Sequence, residues 1–131
     1  MQLQLWLFYF WAMSVLRQLK DIQAQAENLE DKNTTIQDFE AFGKYSSELK
    51  EYLLQQERDD FVLKLVNEIP ELDISKLKGK DGGLLAALSL VANALGASII
   101  NDHQKKLEAL EVARTIKGKY ASIEFIYKNN L

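Results

Sequence analysis

Apolar residues recur along the start of the chain in alternating steps of three and four. Leu5, Phe8, Ala12, Val15, Leu19, Ile22, Ala26 and Leu29 fill both seam positions of successive heptads, which predicts one long helix over about 4–31. From Arg17 to Asp31 the other positions are largely polar, so this half carries one narrow stripe. The half before it is different. Trp6, Leu7, Tyr9, Phe10, Trp11 and Met13 add to the seam until the helix is apolar almost all round. A helix of that kind needs neighbours on several sides.

The pattern breaks at DKNTTIQDF, where Thr35 with Asp38 three residues on forms a capping arrangement. Helical spacing resumes at Ile36 and runs through Phe39, Phe42, Tyr45, Leu49, Tyr52, Leu53, Phe61, Leu65, Val66 and Ile69. Gly43 and the polar run QQERDD at 55–60 are the candidate interruptions. The second is favoured, giving helices at 36–56 and 59–69 with Asp59 or Asp60 as the cap. Pro70, the sole proline, lacks an amide hydrogen and restricts the residue before it, so the helical run ends there. Residues 70–83 read as the one substantial loop, with Ile74 and Leu77 dropping onto the core.

The stretch GGLLAALSLVANALGASIIN, 82–101, contains no charged residue. It is long enough for a membrane helix, but its alanines, Ser89, Asn93 and Ser98 weaken that reading. A large apolar face (Leu84, Leu88, Val91, Leu95, Ile99) opposes a small one (Ala86, Ser89, Asn93, Gly96). This predicts a helix buried centrally in a bundle, with Asn93 as a hydrogen-bonded structural polar residue that sets register. Asn101 and Gln104 resemble a capping box for a last helix over 102–128, whose stripe of Ala109, Ala113, Ile116, Tyr120, Ile123 and Tyr127 keeps its phase across Gly118. The terminal SIEFIY has some strand character, but a strand there would have no partner. The expected product is all-α: one domain over 1–131, a bundle of four long helices plus one short helix, with a central uncharged helix.

Composition narrows the function classes. The 131 residues are 47% apolar and 27% charged, the profile of a globular chain. Cysteine is absent, which removes disulfides and thiolate ligands and fits a reducing, cytoplasmic setting. The net charge of −3 conceals a split: residues 1–75 carry 14 acids and 7 bases, whereas 76–131 carry 5 acids and 9 bases. Such a split suits self-association or an acidic partner, or else solvated helix faces that differ.

The opening LWLFYFWAM has no basic n-region before it, and its apolar stretch Leu5–Leu16 spans only about 18 Å as a helix. Neither an export signal nor a spanning anchor is expected from that run.

Catalytic and metal chemistry find little to work with. His103 is the only histidine, and no carboxylate precedes it by three residues. Carboxylate pairs such as Glu27 with Glu30, Glu48 with Glu51 and Glu108 with Glu111 lie opposite the apolar stripes among bases, as solvated faces do. KLKGKDGG at 76–83 lacks the phosphate-loop spacing and a preceding strand. No cofactor, metal or small-molecule substrate is inferred.

The leading expectation is a non-enzymatic interaction or scaffold protein that associates with itself or another protein through Trp6, Tyr9, Phe10, Trp11 and Met13. Aromatic and methionine side chains are the types that anchor interfaces. Two alternatives remain. One is a helical subunit of a nucleoprotein complex touching nucleic acid through Lys76, Lys78, Lys80, Lys117 and Lys119. The other is a membrane-associating protein that uses the aromatic end of the first helix and the uncharged helix.

Overall fold

The computed structural model describes residues 2–75 and 103–129, with side chains from Phe10 onward. Within them the chain is an all-α four-helix bundle: α1 (Gln2–Asn28), α2 (Ile36–Gln56), α3 (Asp60–Asn67) and α4 (His103–Asn129). The uncharged segment 82–101 with Asn93, the lysines at 76, 78 and 80, Leu77, and the Asn101 cap all lie outside the described residues.

Local chemistry sets the helix ends. Thr35 and Asp38 form a reciprocal capping box at the start of α2. The Asp38 amide donates to Thr35 Oγ1 at 3.3 Å, and the Thr35 amide donates to Asp38 Oδ2 at 2.9 Å. Asp59 caps α3 by accepting from the amides of Phe61 and Val62. The chain divides at 57–59, where Glu57 Oε1 accepts from the amides of Arg58 and Asp59. Gly43 stays inside an unbroken α2, and α4 is continuous through Gly118.

Two boundaries fall short of the apolar pattern. α1 ends at Asn28, yet Leu29 remains buried in the following turn. α3 ends at Asn67, yet Ile69 is buried just before Pro70. Burial periodicity marks residues that face the core, and a closing turn can face the core as well as a helix does. The buried Thr34 hydroxyl donates toward the carbonyls of Asn28 and Leu29, supplying partners that α1 leaves unmet at its end.

The core is one continuous cluster. α1 contributes Val15, Leu19 and Ile22, α2 contributes Phe39, Phe42 and Leu53, α3 contributes Val62 and Val66, and α4 contributes Ile116, Tyr120 and Ile123. Ile74, beyond Pro70, packs against it as the pattern predicts. The buried Tyr120 hydroxyl donates to the Ser46 carbonyl at 2.7 Å, so its polar tip is satisfied between α4 and α2. Burial pushes the Tyr120 phenol up to about 12.

α1 and α4 make the most extensive helix pair. Their antiparallel register is fixed by Gln23 Nε2 donating to Glu124 at 3.1 Å, by Lys117 with Glu27 at 2.9 Å, and by Arg114 with Glu30. Continued along both helices, this register sets Asn129 level with Val15 to Gln18. About four turns of α1 therefore run on past the last described turn of α4.

Candidate functional site

At Trp11, α1 meets the C-terminal ends of α2 and α4. Trp11 sits at this junction, half-buried on the flank of α1 that faces α2. Its indole Nε1 donates to the Tyr52 hydroxyl at 2.8 Å. Its ring meets Tyr127 edge-on, with centroids 6.0 Å apart and an interplanar angle of 69°. The Tyr127 hydroxyl donates to the Glu57 carboxylate, tying the end of α4 to the α2–α3 elbow. Burial, then the hydrogen bond and charge of Glu57, raise the Tyr127 phenol well above its ordinary range.

Outside this half-buried knot the surface changes character. Among the described residues, six large apolar side chains are exposed. Five of them are Phe10 and Met13 on α1, Leu54 near the end of α2, Phe61 at the start of α3 and Phe125 near the end of α4, with exposures from 37% to 67%. The sixth, Leu107, lies near the start of α4 at the opposite end.

The residues expected to form an interface thus fall into distinct settings. Phe10 and Met13 are exposed on α1, and Trp11 is turned toward Tyr52 and Tyr127. Trp6 and Tyr9 are on the same helix, before the point from which side chains are described. Glu57, Tyr52 and Tyr127 join the site without having been singled out from the sequence. Both tyrosines were legible as helix-stripe positions, but helical spacing does not say which stripe meets which.

The basic residues are placed differently. Lys117 pairs with Glu27, and Lys119 Nζ donates to Glu68 at 2.8 Å. That hydrogen bond and its charge, together with Lys64, hold the Glu68 carboxyl below the usual carboxylate range. Lys106 reaches the carbonyls of Asp31 and Lys32 at 3.4 Å. The bases of α4 are therefore matched largely to acids and carbonyls of the first half of the chain.

The remaining candidates do not assemble into a reactive site. His103 is exposed at the first turn of α4. Among the described residues, no three His, Cys, Asp or Glu side chains are grouped to hold a metal ion. An open cleft of about 510 Å³ lies between the end of α1 and the start of α2. Its two carboxylates are already used, Asp31 accepting from the Asn33 amide and Asp38 from the Thr35 amide. Among the described residues, no helix is long and apolar enough to cross a membrane.

Compared with known protein families, curated proteins and solved structures, the chain matches none. Its functional reading rests on its own surface.

Proposed function

We propose that the protein is a non-enzymatic helical interaction module that docks on another protein surface, its own or a partner's, through the aromatic-rich N-terminal half of α1. The observation that supports this reading is the exposure of Phe10 and Met13 on the N-terminal half of α1. Behind them, Trp11 is fixed to Tyr52 and Tyr127. A rigid, half-buried aromatic base carrying exposed aromatic and methionine side chains is the composition of an interface hot spot. A cysteine-free chain is suited to such a role in a reducing cytoplasm.

Nucleic-acid contact has weaker support, because Lys117 and Lys119 are engaged by Glu27 and Glu68. Using them would first require breaking those pairs.

The test combines folding and mass. Trp6→Glu with Phe10→Glu should leave helical circular dichroism and thermal melting close to those of the intact chain, since a docking residue contributes little to the core. Light scattering should show any oligomer of the intact chain dissociating in the double variant. Loss of folding in the double variant would overturn the reading and return these residues to the core. Sedimentation of the intact chain with lipid vesicles, abolished by the same change while no protein assembly forms, would overturn it in favour of membrane docking.

A further inference from the structure

α4 is held in different ways along its length. From Ala109 to Ile123 it buries a continuous stripe, in which Ile116, Tyr120 and Ile123 are wholly shielded from solvent. From Glu124 to Asn129 no residue is fully buried, and only Ile126 and Tyr127 pack against the core as partly buried groups. A segment with few buried apolar contacts opens at a lower free energy than the stripe beside it. Polar contacts therefore weigh more heavily in holding these roughly two turns.

A pair of carboxylates acts on this segment in opposite senses. Glu57, at the α2–α3 elbow, accepts from the amides of Arg58 and Asp59 at Oε1, each at 2.9 Å, and from the Tyr127 hydroxyl at Oε2. The group that shapes the elbow is thus the group that anchors the end of α4. Tyr127 in turn lies edge-on against Trp11, so the anchored turn covers that flank of the indole. Glu124 stands at the other end of the segment, next to the fully buried Ile123. Its Oε1 accepts from Gln23 Nε2 at 3.1 Å, but its Oε2 is buried and, among the described residues, has no hydrogen bond. The Lys128 ammonium approaches it to 3.6 Å, as an ion-pair contact alone. A buried carboxylate oxygen without a donor costs free energy that hydration recovers on opening. Glu57 closes the segment, and Glu124 loads it towards release.

We infer that Glu124 to Asn129 form a strap that closes over Trp11, is latched by Glu57 through Tyr127, and opens as a unit while the rest of the bundle stays folded. The open form bares the Trp11 ring on its α4 flank and so adds an aromatic surface that the closed form withholds. The inference stands apart from the docking role proposed above, because the strap opens whether or not any protein binds there.

Amide hydrogen exchange of the intact chain, resolved by NMR, tests it. The closed strap predicts measurable protection from Glu124 to Tyr127, weaker than at Ile116 and Tyr120. Tyr127→Phe keeps a ring beside Trp11 and removes the hydroxyl. It should speed exchange across the strap by roughly tenfold or more, the weight of one hydrogen bond to a charged group, and leave Ile116 and Tyr120 unchanged. Glu57→Gln should act in the same direction. Glu124→Met removes the unpaired oxygen, while Gln23 keeps its bond to the Leu19 carbonyl at 3.0 Å; exchange across the strap should slow. Equal acceleration throughout α1, α2 and α4 in Tyr127→Phe would mean that the segment opens only with the whole bundle, and would overturn the inference. Amides already unprotected in the intact chain would overturn it as well, because no closed strap would exist. So would strap exchange that neither Tyr127→Phe nor Glu57→Gln changes, or that Glu124→Met fails to slow.

Discussion

The two halves of α1 carry opposite kinds of surface. From Leu19 to Asn28 the helix buries one stripe and turns charged flanks to α4, where Glu27 meets Lys117 and Gln23 meets Glu124. Towards the N-terminus the helix runs beyond Asn129 of α4, and its described outer side chains, Phe10 and Met13, are apolar and exposed. One half is matched within the chain in both shape and charge. The other is matched on its α2 flank through Trp11 and Tyr52 and presents aromatic and sulfur-bearing groups elsewhere. The contrast separates what holds the fold from what is available for recognition, although both belong to one unbroken helix.

The largest effect expected from this contrast is a difference between neighbouring turns. Leu19→Ala, at a fully buried seam position, should lower the unfolding free energy by about 2–5 kcal/mol. Met13→Ala, on the exposed stripe, should change the stability of the monomer by less than about 0.5 kcal/mol. Urea denaturation at low protein concentration checks both, and comparable losses would erase the distinction between seam and outer face.

A smaller effect separates the polar tips of the core from its apolar bulk. Tyr120→Phe removes the hydroxyl that donates to the Ser46 carbonyl, at a cost of about 1–2 kcal/mol. It should also flatten alkaline unfolding. The phenol is raised from its ordinary value of 10 to about 12 in the folded state, so its contribution is complete below pH 10. It is lost as pH rises from 10 through about 12, because the unfolded chain releases the proton first. A pH titration of stability that is equally steep in Tyr120→Phe would assign the alkaline slope to other groups.

The smallest effect concerns the charged flank. Lys117→Gln removes one exposed cross-helix pair and should cost about 0.2–1 kcal/mol, with the difference shrinking as salt is added. A larger, salt-independent loss would mean that the flank holds α4 in place and is more than a solvated match between helices.

These contrasts also mark how far the sequence could be read. The caps of α2 and α3 were legible because Thr35, Asp38 and Asp59 act on amides within three residues. The division between those helices was legible for the same reason. The seam of α1 and the stripe of α4 were legible as stripes, since helical periodicity records burial directly. What each stripe meets was not. The excess of bases after residue 75 was visible, but the pairing of Lys117 with Glu27 and Lys119 with Glu68 depends on tertiary register. That pairing gives the charge split an internal explanation. In the same way, composition grouped Trp11 with Phe10 and Met13, whereas one step around the helix turns Trp11 towards Tyr52 and Tyr127. A functional residue recognised by type still needs its neighbours to define its role.

The central claim is that the exposed face at the aromatic end of α1 is a protein-docking surface distinct from the core seam. Helical circular dichroism and thermal melting of the intact chain and of Met13→Glu test it most directly. The account predicts that Met13→Glu is as helical as the intact chain and melts with it. Loss of the helical signal or a markedly earlier melt would return Met13 to the core and contradict it.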